Sequence, residues 1–178
     1  MQAEYFEQMA MPLFDQLYNF AHWLAGDRAD AEDLVQETFA KALKGFRSFE
    51  EGTNLRAWMY RILRNTFLTS RTGLAATATS SLEDEEDVEW RTAEEATPES
   101  LLMRRQDHAM VVETLARMPV AHREILLLCE IEEMSYREIA QVMGIPAGTV
   151  MSRVSRARGL MRRMLTEGTT GTKVGGAL

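Results

Sequence analysis

Cysteine is almost absent from this chain. Cys129 is the single one in 178 residues, so no internal disulfide can form and a reducing, cytosolic setting fits. It ends the apolar run Ile125-Leu-Leu-Leu-Cys129, where a small buried hydrophobe is expected rather than a reactive thiol. No apolar run reaches the roughly 18 residues a membrane span needs. The opening Met1-Gln-Ala-Glu-Tyr-Phe-Glu7 lacks the basic and apolar segments of a signal peptide. Histidine is scarce, and His22, His108 and His122 are scattered with no metal-ligand spacing. A Gly-rich phosphate loop, Cys-x-x-Cys and His-Glu-x-x-His are all missing. The expectation is a protein that is not an enzyme and that holds no cofactor or metal.

Basic charge is also in deficit, with a formal net charge of −7. That would argue against a nucleic-acid partner if charge were spread evenly. It is not. Nine acidic residues and one basic residue fall between Leu82 and Glu99, so the rest of the chain is close to neutral. Charge here has to be read segment by segment.

Apolar periodicity then gives an all-α fold with two small helical domains joined by an acidic flexible linker. The first domain, 1–72, has three to four helices. One is expected over 5–24, with Leu13, Leu17, Phe20 and Leu24 at helical spacing and Pro12 bending it or marking its true start. Gly26 and Asp27 end it. Asp30 can cap a second helix whose apolar stripe is Leu34, Val35, Thr38, Phe39, Ala42, Leu43 and Phe46. A loop over 45–54 leads to a third helix over 55–70, with Trp58, Met59, Ile62, Leu63, Thr66 and Phe67 as its buried face. Residues 73–99 hold Ala, Thr and Ser and then the run Glu83-Asp-Glu-Glu-Asp87, the composition of a linker. The second domain, 100–166, is expected to carry four helices, near 100–117, 120–131, 135–143 and 147–165. The Gly- and Thr-rich tail, 167–178, reads as disordered.

The last two of those helices carry the densest signal. Ser135 and Glu138 have the spacing of a capping box. Tyr136, Ile139, Ala140 and Met143 recur at helical spacing, and Gly144 follows where a left-handed C-cap needs no Cβ. Pro146 can open the next helix without losing a hydrogen bond. That helix carries Arg153, Arg156, Arg158, Arg162 and Arg163, with no acidic residue from Val150 to Leu165. A short helix, a Gly turn and an Arg-rich helix are the parts of a helix-turn-helix, which places its second helix in the DNA major groove.

The N-terminal domain has polar faces of its own. Glu32, Asp33, Gln36, Glu37 and Lys41 lie opposite the second helix's apolar stripe, which by itself describes a solvated surface. The third helix combines Arg56, Tyr60, Arg61, Arg64, Asn65 and Arg71 on its polar side, with Trp58 nearby. The loop before it adds Phe46, Arg47, Phe49 and Asn54. Basic side chains hold phosphates, aromatics stack on unpaired bases, and Asn amides read base edges. The set suits single-stranded DNA, although most of its aromatic rings also serve a core.

Four blocks resemble the bacterial extracytoplasmic-function sigma factors. They are Asp30-Ala-Glu-Asp-Leu-Val-Gln-Glu-Thr-Phe39, Phe46-Arg-Ser-Phe49, Gly52-Thr-Asn-Leu-Arg-Ala-Trp-Met-Tyr-Arg-Ile-Leu-Arg-Asn65 and Gly148-Thr-Val-Met-Ser-Arg153. The wording around Trp58 looks closest to the actinobacterial oxidative-stress branch. The resemblance extends to about residue 165. It implies partners: core RNA polymerase, through the clamp helices of its largest subunit and the flap of the other large subunit, promoter DNA both duplex and single-stranded, and an anti-sigma factor in many members. It makes Asp33, Gln36 and Glu37 candidates for polymerase contact. Phe49, Asn54, Trp58, Arg61 and Asn65 become candidates for the −10 element, and Thr149, Ser152, Arg153 and Arg156 for the −35 element. In such factors the connector threads toward the polymerase cleft, which gives Glu83, Asp84, Glu85, Glu86 and Asp87 a place there. One departure stands out: after Asn65, where related chains often continue with a Lys/Arg cluster, Thr69-Ser-Arg-Thr-Gly73 follows. The runner-up reading is a free-standing helix-turn-helix regulator, which accounts for 119–165 but not for the N-terminal blocks.

Overall fold

A computed structural model describes residues 1–72 and 98–172. The order of elements is α1 (Gln2–Ala10), a 3-10 turn (Met11–Leu13), α2 (Phe14–Ala25), α3 (Arg28–Gly45), a second 3-10 turn (Phe46–Ser48), α4 (Leu55–Thr72), α5 (Pro98–Arg117), α6 (Val120–Leu126), a π-helical turn (Leu127–Ile131), α7 (Tyr136–Met143) and α8 (Ala147–Thr172). No strand occurs among the described residues. The run Glu83–Asp87, most of the expected linker and the last six residues lie outside them.

Pro12 splits the first expected helix in two. It sits in the first turn of the 3-10 segment, where its missing N–H leaves no bond unmade. Beyond it, Leu17, Phe20, Ala21 and Leu24 of α2 are all buried, the i, i+3, i+4, i+7 pattern of a single apolar stripe. Gly26 ends α2 at φ 75°, and its N–H bonds the His22 carbonyl at 2.8 Å. The capping of α3 corrects the sequence reading. Asp27, not Asp30, is the cap, its carboxylate accepting from the Ala29 N–H at 3.0 Å. The extended backbone of Asp27 directly after the left-handed Gly26 lets the helix begin three residues early.

Two further residues differ from expectation. Leu43, placed in the α3 stripe, is exposed. Tyr60, placed on the polar side of α4, is fully buried along with Met59 and Leu63. The reason is tertiary: α4 packs on α2 and α3 with one face and on α7 with another, so it is a central element rather than a surface one. Tyr60 lies against Phe20, with ring centroids 5.2 Å apart.

In the C-terminal set, Leu115, Met118, Ile125, Leu126, Leu127, Leu128, Met134, Ile139, Val142, Val150, Val154 and Ala157 are buried. They join the N-terminal core in one continuous apolar cluster. The expected helix over 120–131 forms, but its last turn widens. The Glu132 N–H reaches back to Leu127 at 2.9 Å, five residues away. Glu133 then takes a left-handed φ of 51°. Cys129 is half-buried in this wide turn, with its sulfur 3.7 Å from an Arg158 guanidinium nitrogen, rather than fully enclosed. Burial pushes its thiol pKa up. Part of the tail departs from expectation: α8 continues to Thr172, so residues 167–172 of the stretch read as disordered are helical.

Candidate nucleic-acid interface

The helix-turn-helix forms as its sequence dictates. The Ser135 hydroxyl accepts from the Glu138 N–H at 3.2 Å, and the Glu138 carboxylate accepts from the Ser135 N–H at 2.7 Å. The capping box is therefore closed from both sides. That backbone bond, more than any other contact, holds the Glu138 carboxyl below its ordinary pKa. Gly144 ends α7 at φ 67°, donating to Ala140 at 2.9 Å. Ile139, Val142 and Met143 of α7 share the core with Val150, Val154 and Ala157 of α8. That packing fixes which side of α8 faces out. Ser152 is exposed, and Thr149, Arg153 and Arg156 are half-buried along the same helix. The Ser152 hydroxyl is bonded to the Thr149 carbonyl at 3.0 Å. Arg158 is turned elsewhere and pairs with Glu130 at 2.7 Å. Half-buried His122 faces this basic side. Burial lowers its pKa, and Arg156 and Arg163 push in the same direction.

The residues read as a single-strand site divide into two groups. Phe49 and Trp58 meet at 5.1 Å between centroids, and Phe49 stacks on buried Phe46 at 5.7 Å. Their rings close an aromatic cluster at the N-terminal end of α4, each half-buried. Asn54 caps α4: its side-chain oxygen accepts from the Ala57 N–H at 3.1 Å. Its amide nitrogen donates to Glu138 at 2.9 Å, across to the C-terminal set. Arg61 and Asn65 are exposed on α4. Arg61 reaches toward the helix-turn-helix, its guanidinium 3.9 Å from where a Cβ on Gly144 would stand.

Between these lies a row of contacts that sequence reasoning missed. Arg56 donates to Glu132 twice, at 2.9 Å to the carboxylate and 2.8 Å to the carbonyl. The Tyr60 hydroxyl donates to the same carboxylate at 2.6 Å. Arg64 grips Glu124 with two parallel bonds of 3.0 Å, the fork geometry of a strong charge-assisted pair. Glu124 is 3% and Arg64 14% exposed, so both charges are largely out of water. Burial drives the Tyr60 phenol pKa well above the ordinary tyrosine value. The bond to Glu132 acts in the same sense and Arg56 opposes it. Arg56, Tyr60 and Arg64 were legible as one polar stripe of α4. Their acidic partners lie some 60 to 76 residues away, and nothing in the local pattern of α6 or α7 marks them.

Asp33, Gln36 and Glu37 are exposed on α3. Glu37 pairs with Lys41 at 2.9 Å. Asp30, Asp33 and Glu37 of α3 line one wall of a shallow cleft, and Phe67, Ser70 and Arg71 of α4 line the other. Among the described residues no three His, Cys, Asp or Glu side chains converge on a common point, and no helix is long and apolar enough to cross a membrane.

Two helical units in this order match two known families in the same order. Residues 10–76 match Sigma-70 region 2 and residues 108–161 match Sigma-70 region 4. An extracytoplasmic-function (ECF) sigma-E factor of Haemophilus influenzae is 33% identical over 78% of this chain and 76% of that protein. The chain belongs to the ECF sigma factors. The ECF sigma factor EcfG of Rhodopseudomonas palustris is 31% identical over 87% of this chain and 88% of its own length. SigE of Mycolicibacterium smegmatis is 33% identical over 90% of this chain, which spans 65% of that longer protein. These near-equal identities single out no branch of the family. Among solved structures, the sigma factor RpoE of Bartonella quintana, in complex with the anti-sigma factor NepR, superposes with a TM-score of 0.66 at 32% identity. That match covers 90% of this chain and 96% of RpoE. CnrH, in complex with the cytosolic domain of CnrY, gives 0.64 at 26% identity, covering 91% and 88%. This sigma factor is thus a promoter-recognising chain with both of the family's DNA-facing regions. The free-standing regulator is set aside, because it leaves the region 2 match unexplained.

Proposed function

We propose that the chain binds core RNA polymerase, places it at promoters by reading a −35 and a −10 element, and opens the −10 duplex. The region 2 and region 4 matches, in that order on one chain, carry this reading. The exposed acidic face of α3, with Asp33, Gln36 and Glu37, supplies the polymerase contact. Thr149, Ser152, Arg153 and Arg156 of α8 read the −35 duplex, where Arg can pair bidentately with guanine and Ser and Thr anchor phosphate. Phe49, Asn54, Trp58, Arg61 and Asn65 hold the −10 strand unpaired, with stacking and edge contacts offsetting the few kcal/mol of unstacking. The Glu83–Asp87 run lies in the polymerase cleft, a polyanion in a channel built for one. The chain supplies no catalysis of its own and acts in the cytoplasm, where the polymerase is. Its relative RpoE was solved with the anti-sigma factor NepR, and a partner of that class is proposed here too.

Run-off transcription on a promoter library tests the reading, using core polymerase with and without the chain. Transcripts from a few start sites, present only with the chain, are expected. A shift of duplex DNA by the chain alone, with no new transcripts, overturns it.

A further inference from the structure

The aromatic cluster at the N-terminal end of α4 does not stop at Phe49 and Trp58. It runs on to α1. Phe49 stacks on Phe46, and Tyr5 of α1 also meets Phe46, with ring centroids 6.0 Å apart. Phe46 is buried, and Phe49 and Trp58 are half-buried. Tyr5 is different, at 43% exposed, and Met9 one turn further along α1 is 38% exposed. Phe6 and Ala10 anchor α1 in the core, and that packing leaves Tyr5 and Met9 facing out.

A cation stands at the same place. Arg47 of the second 3-10 turn is exposed, and its Nε donates to the Gln2 side chain of α1 at 3.2 Å. Gln2, Tyr5 and Met9 recur at spacings of three and four, along one side of the helix. Glu4, Glu7 and Gln8 line a shallow depression with Met11 and Pro12 instead, so the carboxylates of α1 lie off that line. An exposed ring that continues a row of rings, with a guanidinium beside it, suits an unpaired strand. Bases stack on the ring and the cation meets the phosphate.

We propose that Tyr5 and Arg47 form a second stacking step, which takes the unpaired bases adjoining the −10 element on the start-site side. Toward the −35 element the promoter returns to duplex, so the strand that leaves Phe49 and Trp58 unpaired runs toward the start site. Tyr5 offers its ring to one of these bases, Met9 widens the apolar surface, and Arg47 takes a phosphate beside it. Stacking tolerates any base, because every base has a π-face. The step therefore helps to hold the opened strand and does not choose the promoter. It rests on the sigma-factor reading above.

The test uses core polymerase with the full chain, and labelled fork-junction DNA built on a promoter found by the run-off screen. In one fork the unpaired strand ends at the last −10 base. In the other it carries several further bases. Fluorescence anisotropy reads the affinity. Tyr5→Ala should weaken binding of the long fork about tenfold and leave the short fork unchanged. Tyr5→Phe keeps the ring and should restore the long-fork affinity. Arg47→Ala should weaken the long fork and lower its salt slope by about one. Gln8→Ala, exposed elsewhere on α1, should match the unaltered chain on both forks. Should Tyr5→Ala lose helix, Tyr5→Leu carries the same comparison, apolar but without a ring. Unchanged affinity for the long fork overturns the stacking step. So does an equal loss on both forks, which makes Tyr5 a packing residue for Phe46. Both results leave the sigma reading intact, since the unaltered chain still directs run-off transcription. An unaltered chain that yields no run-off transcripts fails that reading, and the stacking step with it.

Discussion

Arg64 and Glu124 show what a single pair decides. Both are largely desolvated, and their attraction offsets that penalty only while both are present. Arg64→Ala strands the Glu124 charge and should lower stability by about 3–5 kcal/mol in urea unfolding. Replacing both, as Arg64→Met with Glu124→Leu, should recover most of the loss. Tyr60 gives a pH-dependent counterpart. Its pKa is raised in the folded chain, so its contribution is whole below the unfolded tyrosine value of about 10 and fades as pH rises beyond it. Absorbance at about 295 nm should show one tyrosine ionising later than that value, together with alkaline loss of helix. Tyr60→Phe should remove the late step. The Arg and Tyr halves of these contacts were visible on α4 as one stripe. The partners were not, because a carboxylate on a distant helix carries no local mark of what it faces.

At the scale of the element, the chain's own signals are strong enough to set most boundaries. The Ser135–Glu138 box and Gly144 delimit α7, and the side-chain bonds appear as the spacing dictates. Ser135→Ala should cost about 1 kcal/mol. Gly144→Ala, at φ 67°, should cost about 1–2 kcal/mol. Both would be read as earlier thermal unfolding of the C-terminal set. Pro12 was ambiguous between bend and start, and the 3-10 turn resolves it: the chain breaks and restarts. Asp30 was the wrong cap because Asp27 satisfies the same rule, and only the backbone angles left by Gly26 choose between them. The widened turn after Leu126 left no sequence signal. A π-turn differs from the α-helix by one residue of register, while its apolar pattern, Ile125 to Leu128, reads as a buried helix either way.

For the whole molecule, what matters is which faces stay open to partners. The α3 face with Asp33 and Glu37 is exposed. Charge reversal there, as Asp33→Lys with Glu37→Lys, should raise the half-saturating concentration in transcription about tenfold, through electrostatic mismatch with the polymerase. Thermal unfolding should shift little, since the Glu37–Lys41 pair is solvent-exposed. An unchanged titration would remove α3 from the polymerase interface.

Helix content, the helix-turn-helix, the uneven charge and the family were all set by the sequence alone, because capping, periodicity and charge clustering act over a few residues and leave their pattern in order. The burial of Tyr60, the partners of Arg56 and Arg64 and the covering of α4 were decided only in three dimensions. Each depends on which face of one helix meets another more than fifty residues away, and that is settled by shape and desolvation across the assembled core.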